Sequence, residues 1–170
     1  ATEGVNSNAA LAARSGRVAY LIDLVGTNDN NMQLGNGTTL PYSANTNFQG
    51  LAKITVDISD SQSLKLSFLN MQNHGQYPAT IVNNTNATNQ PTNFDFNQSQ
   101  TTLDYRYNPN NPYVDIKAQA SYQSSNYALN PIYTSSGLNQ APQNITLNTS
   151  SIKLNNTTLV AEQKLLYGVE

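Results

Sequence analysis

The sequence predicts an all-β protein, and more narrowly an antiparallel meander of about six or seven strands within a transmembrane β-barrel. Three observations support this prediction: apolar residues that recur with a period of two, connections that alternate between short and long, and a polar but weakly charged composition. Of the 170 residues, 71 are Asn, Gln, Ser or Thr, and only 11% are charged. We expect residues 1–170 to form one partial β-barrel domain.

Alternating apolar and polar residues mark the individual strands. In residues 113–123, for example, Val114, Ile116 and Ala118 alternate with Asp115 and Lys117. This is the pattern of a strand with one apolar face, and β-branched and aromatic residues favour strands. The segments with this pattern are 17–25, 48–58, 63–71, 101–107 and 113–123, followed by shorter patterns at 152–154 and 165–169.

The connections between these segments are of two kinds. Short ones contain Gly, Asp, Asn or Pro, which favour turns, and they fall at 14–16, 59–62, 108–112 and 161–164. Long polar ones span 26–47, 70–100 and 124–149, beyond the ~12–15 residues usual for loops in compact domains. Regular alternation of the two kinds is typical of membrane barrels, which have short periplasmic turns and long extracellular loops.

Tyrosines near the strand ends fit the same interpretation, because aromatic girdles lie at the two membrane interfaces. They are Tyr20, Tyr107, Tyr113, Tyr122 and Tyr167. Six or seven strands are fewer than the ~8 of the smallest membrane barrels. We therefore expect this chain to be a piece of a longer protein whose remaining strands are supplied elsewhere.

Composition also excludes several functions. A net charge of −2 leaves no basic face for nucleic acid. The chain has no Cys and one His, which excludes thiolate chemistry and histidine metal clusters. Its ten carboxylates are scattered, without a Ser/His/Asp grouping. We expect no enzyme activity, no catalytic residues, no metal site and no required cofactor.

Several blocks of sequence, taken in order, resemble TonB-dependent outer-membrane receptors, most closely their haem and haemoglobin receptor branch. The blocks are AARSG (12–16), LGNGTTLPYS (34–43), LAK (51–53) with SLKLS (63–67), LDYRYNP (103–109), NPYVDI (111–116) and LYGVE (166–170). Together they extend over nearly the whole chain. Each block alone is weakly specific, and their order carries the resemblance.

The resemblance implies an early part of a barrel of about 22 strands in the outer membrane of a Gram-negative bacterium. It implies uptake of haem or another iron compound, with extracellular haem, a haem protein or a siderophore as partner. Other implied partners are membrane lipid, the remaining strands of the barrel, and TonB acting through an N-terminal plug. The plug, the TonB box and the family's FRAP and NPNL boxes do not occur in this chain.

His74 and Tyr77 are the candidate ligand-binding residues. Both fall in the predicted loop 70–100, which would lie outside the cell on the barrel interpretation. An imidazole or a phenolate there could ligate haem iron axially. The alternative is that both are ordinary solvated loop residues. Charged residues on the polar strand faces are expected to be solvated, or paired across strands, inside a wet lumen. They are Asp23, Lys53, Asp57, Lys65, Asp104, Arg106, Asp115 and Lys117.

Two other classes of protein stay open at this stage. A secreted Asn/Thr-rich β adhesin would be expected to show repeats of fixed length, which the sequence lacks. A soluble β-sandwich binding module would bury the apolar faces in a dry core between two sheets.

Overall fold

The computed structural model describes residues 4–78, 91–130, 132–134 and 137–170. These residues form ten strands and no helix, so none of them lies in a helix long and apolar enough to cross a membrane. The strands are β1 (Gly4–Ser15), β2 (Val18–Asp29), β3 (Asn45–Ser59), β4 (Gln62–Pro78), β5 (Pro91–Asn111), β6 (Val114–Leu129), β7 (Ile132–Thr134), β8 (Gly137–Gln140), β9 (Gln143–Val160) and β10 (Gln163–Val169).

Eight of the strands make one open antiparallel sheet in the order β1-β2-β3-β4-β5-β6-β9-β10. Strands β7 and β8 pair separately, between β6 and β9 in the chain. The predicted all-β antiparallel meander is therefore confirmed, although the sheet has eight strands rather than six or seven. The prediction missed β1 because its apolar positions are mostly alanines that fall on both faces, which hides the period of two.

Four tight turns join the strands at one end of the sheet, at residues 16–17, 60–61, 112–113 and 161–162. A tight turn occurs at each of the four predicted short connections, although β1 and β5 extend into the predicted ranges 14–16 and 108–112. Gly16 adopts a positive φ of 56° in the first turn, a conformation that glycine adopts readily. We call this end of the sheet the turn side and the opposite end the loop side.

The predicted long connections are shorter in the structure. Strand β4 continues to Pro78 and β5 begins at Pro91, so the connection predicted at 70–100 was placed wrongly at both ends. In particular, His74 lies within β4, paired with Asp95, and not in a loop. The cause is that the face of β4 and β5 that is apolar nearer the turns becomes polar here, at Asn70, Gln72 and His74 in β4 and at Asn97 and Ser99 in β5.

The sheet is a single layer. Side chains at Ile22 and Leu24 are exposed, whereas their neighbours Leu21 and Asp23 on the other face are half-buried. Among the described hydrophobic residues only Leu129 is buried. The accessible surface of 11306 Å² exceeds the roughly 8,200 Å² expected of a compact 18.5 kDa protein. No second layer covers the sheet in the described part of the chain.

Candidate functional site

One face of the sheet, here called the band face, carries a continuous band of apolar side chains. Residues paired across neighbouring strands share a face, so the register assigns the band directly. Ile22 and Ile54, near its middle, are each 43% exposed, although both are large aliphatic residues. The band consists of Val18, Tyr20, Ile22, Leu24, Phe48, Ile54, Val56, Leu64, Leu66, Phe68, Leu103, Tyr105, Tyr107, Ile116, Ala118, Ala120, Tyr122, Ile152, Leu154, Tyr167 and Val169.

The band runs diagonally across the hydrogen-bonded rows of the sheet. The row that contains Leu24 of β2 becomes polar from β4 onward, where its members are Asn70, Ser99, Ser124 and Asn148. The row that contains Tyr167 of β10 is apolar at Ile116 and Tyr107, but it is polar at Asn156 of β9 and at Gln62 of β4. The band therefore lies towards the loop side in β2 and towards the turn side in β10.

The opposite face, here called the groove face, is ionic on the turn side. The Lys65 ammonium lies 2.9 Å from Asp104 Oδ2, and Gln119 Nε2 donates to Asp104 Oδ1 at 2.6 Å. Arg106 donates to both oxygens of Asp115, at 2.8 and 3.1 Å. Further pairs join Arg14 to Asp57, and Lys153 to Glu170 at 2.6 Å. The charged residues predicted on the polar strand faces also lie on this face: Asp23, Lys53, Asp57, Lys65, Asp104, Arg106, Asp115 and Lys117.

A groove of about 380 Å³ lies among these charges, between β4, β5, β6 and β9. Four cationic side chains line it, those of Lys65, Arg106, Lys117 and Lys153. Among the described residues, Lys117 alone of these four has no ion pair within 4.0 Å. Asp115 lies in β6 just before the first residue of the apolar band. The hydrogen bond from Arg106 lowers the pKa of Asp115, and this effect exceeds the opposing effect of partial burial, which raises the pKa.

The groove face changes character on the loop side. Six apolar residues cluster there on β5, β6 and β9, and we call them the inner apolar patch: Phe94, Phe96, Tyr127, Leu129, Ile145 and Leu147. On the band face at the same level the side chains are polar, as at Asn97, Asn126 and Thr146. In β5, β6 and β9 the polarity of the two faces is therefore reversed between the turn side and the loop side.

Beside the patch, the backbone approaches an aromatic ring closely. Gly75 pairs with Phe94 and is buried, and a Cβ at Gly75 would lie 2.8 Å from Phe94 Cε1. Only glycine leaves room for the ring in this position. Two buried acceptors nearby, Asn45 Oδ1 and Asn73 Oδ1, have no hydrogen-bond partner within the described structure.

Of the two candidate ligand residues, His74 lies on the face of the sheet opposite the inner apolar patch. His74 Nδ1 forms a hydrogen bond with Asp95 Oδ1, and both residues lie on the band face. Tyr77 belongs to β4 by its backbone, and its side chain lies outside the described part of the structure. No group of three or more His, Cys, Asp or Glu side chains suited to a metal ion occurs among the described residues. A role of His74 or Tyr77 in binding haem stays a prediction.

The inner apolar patch was missed at the level of sequence, where its residues were assigned to long loops. A signal was present, because apolar residues alternate at 94 and 96, at 127 and 129, and at 145 and 147. These pairs have the opposite phase to the band residues of the same strands. A reversal of phase within one strand moves its apolar side chains to the other face.

The sequence matches no protein family model and no curated protein at a significant level.

Proposed function

We propose that this chain forms part of the wall of a TonB-dependent receptor in a bacterial outer membrane, with haem or another iron compound as its transported ligand. The band face contacts the hydrocarbon of the bilayer, and the groove face lines the interior. The turn side lies in the periplasm and the loop side outside the cell. The proposals about the transported ligand and the energy coupling rest on the sequence resemblance. The geometry of the sheet supports the proposal that it forms part of a barrel wall.

The observation that carries the proposal is the diagonal apolar band. Strands of a membrane barrel are tilted by roughly 35–45° from its axis, so a level hydrocarbon layer crosses the hydrogen-bonded rows obliquely. A soluble sheet covered by a second layer has no need of such a band. The large exposed aliphatic side chains of the band are stable in lipid and costly in water.

The charges of the groove face fit the interior of such a barrel. Ion pairs such as Lys65–Asp104 and Arg106–Asp115 link neighbouring strands and remain half-exposed, as expected beside a wet lumen. Charged side chains on the lipid face would each cost several kcal/mol at the bilayer centre. All of the ion pairs of β4, β5 and β6 on the turn side lie on the groove face, within the described residues.

The two edge strands set a further condition. In the described sheet, β1 and β10 each pair on one side only, which leaves a row of peptide groups without strand partners. Such groups cannot remain unpaired in hydrocarbon. We therefore propose that further strands of the same barrel pair with β1 and β10.

Adjacent cysteines on opposite faces test the wall. The chain has no cysteine, so Ile54→Cys and Thr55→Cys each introduce a single labelling site in β3, on the band face and the groove face respectively. With the protein in lipid vesicles, a fluorophore at position 54 should be quenched by lipids brominated in their acyl chains. The same fluorophore at position 55 should be quenched by aqueous iodide instead. Equal quenching at both positions by either quencher would contradict the proposal that β3 forms part of a barrel wall with lipid on one face and water on the other.

Uptake is tested separately, in cells that produce the protein. Growth with haem as the sole iron source should require functional TonB. Growth that is the same without TonB would remove the receptor part of the proposal and leave the wall intact.

A further inference from the structure

We propose that the inner apolar patch binds a small molecule that has a planar aromatic body and no net negative charge. This inference goes beyond the proposed function, because it concerns the groove face on the loop side and does not require the sheet to lie in a membrane. It rests on three observations: the geometry of the patch, the charges around it, and an unpaired acceptor beside it.

The patch presents aromatic and aliphatic side chains side by side. Phe96, Tyr127 and Ile145 form one row across β5, β6 and β9, and direct cross-strand partners have Cβ atoms about 4.5–5.5 Å apart. Ile145 and Leu147 are 55% and 60% exposed, so the β9 side of the patch is open. A flat aromatic ligand can lie against such a row and bury apolar area on several side chains at once.

The charges nearby determine which ligands are compatible. Residues 18–52, 66–105 and 118–152, which build the loop side of β2 to β9, contain no Lys or Arg. On the groove face, Asp29 of β2 lies in the same cross-strand row as Phe94, whereas Asp95 lies on the other face, beside His74. An anionic ligand would therefore find no basic partner at the patch, whereas a cation could interact with the ring faces.

An unpaired acceptor adds a polar requirement. Asn73 is the cross-strand partner of Phe96, and its buried Oδ1 has no donor among the described residues. A groove of about 340 Å³, lined in part by Met71, Asn73 and Phe96, adjoins it. A buried acceptor without a donor is unfavourable, so a rotation of the Asn73 side chain that brings this oxygen to an N–H or O–H group at the edge of a ligand would be favoured.

Three probes with the same ring system test the charge rule: 2-naphthylmethylammonium, 2-naphthylmethanol and 2-naphthoate. Each is titrated into the folded full chain in detergent and followed by ligand-observed NMR. We expect saturable binding of the cation and the alcohol, with the carboxylate at least tenfold weaker. Carboxylate binding as tight as that of the cation would refute the charge rule. Absence of saturable binding for all three probes, as when the chain itself or a second copy covers the patch, would refute the site.

Paired variants test the location and correct for partition into detergent. Phe96→Ala should weaken binding at least tenfold, whereas Asn97→Ala, on the other face of the same strand, should leave it unchanged. If Phe96→Ala does not fold, Ile145→Ser replaces it, because Ile145 is half-exposed, with Thr146→Ala as its control. Equal binding by the two members of a pair would place the probe elsewhere. None of these results depends on the cysteine labelling of β3, so failure of the patch and failure of the wall are distinguishable.

Discussion

In strands β5, β6 and β9, the turn-side and loop-side halves place their apolar side chains on opposite faces. On the turn side, Leu66 and Leu103 lie on the band face, while Lys65 and Asp104 lie behind them on the groove face. On the loop side, the same strand β5 directs Phe96 to the groove face and Asn97 to the band face. One continuous ladder of hydrogen bonds thus serves two environments.

The difference shows that pairing and polarity are specified independently in this sheet. Strand β5 keeps its register with β4 from Pro91 to Tyr107, across the reversal. A change in the phase of the apolar and polar alternation does not weaken the backbone hydrogen bonds between strands, because every residue contributes the same backbone groups. The solvent on each side then decides which residues are stable at each level. The reversal on β5 and β6, between Leu103 and Phe96 and between Tyr122 and Tyr127, marks where the proposed hydrocarbon layer ends.

The largest expected effect comes from placing a charge in the band. Leu103→Arg should destabilise the protein in lipid vesicles by about 2–4 kcal/mol, the cost of an arginine near the bilayer midplane. Asn97→Arg, on the same face of the same strand but beyond the band, should cost no more than about 1 kcal/mol. Denaturant titration of both variants gives the two free energies of unfolding. Equal losses of unfolding free energy in the two variants would contradict the proposal that the hydrocarbon layer ends between Leu103 and Asn97.

A smaller effect on stability is expected from the close contact between Gly75 and the Phe94 ring on the loop side. Gly75→Ala would place a Cβ 2.8 and 2.9 Å from Phe94 Cε1 and Cζ, so the ring must move. We expect a loss of about 1–3 kcal/mol, as for other overpacked sites. Gly26→Ala is the control, because nothing lies within 4 Å of its Cβ position and its φ is not positive. A loss of stability as large in Gly26→Ala would show that the Phe94 contact is not the cause.

The smallest effect is expected for the ion pairs of the turn side. In a double-mutant cycle with Arg106→Gln and Asp115→Asn, the coupling should be on the order of 0.5–1 kcal/mol, since the Arg106 side chain is 48% exposed and screened by solvent. The pKa of Asp115 is lowered on folding. The coupling is therefore fully present above the pKa of an unfolded aspartate and is lost as the pH falls through the lower pKa of the folded protein. A coupling that persists in strong acid would contradict this account.

Much of the sheet was predictable from sequence because its signals are local. Turn residues such as Gly16 and Asp60 marked the short connections, and alternation marked the faces of β2 to β6 within the band. The extensions beyond the band were not predictable in this way. At Asn70, Gln72 and His74 the band face of β4 becomes polar, and the pairing with β3 and β5 shows that the strand continues.

The candidate site was less predictable than the fold for a related reason. His74 was selected because histidine is chemically distinctive, but the face on which a residue lies depends on register, and register places His74 opposite the inner apolar patch. The patch residues carry no distinctive chemistry individually. Their significance arises when three strands bring Phe96, Tyr127 and Ile145 into one row, which no short stretch of sequence contains.

The position of the basic residues has a consequence for proteolysis. All eight lysines and arginines fall at 14, 17, 53, 65, 106, 117, 153 and 164, towards the turn side of the sheet. In the proposed orientation, three hairpins extend outside the cell, within residues 18–52, 66–105 and 118–152. None of these stretches contains a lysine or an arginine, after which trypsin-like enzymes cut. Proteases of that specificity would leave these surface segments intact, and every susceptible bond would lie within the wall or at its periplasmic end.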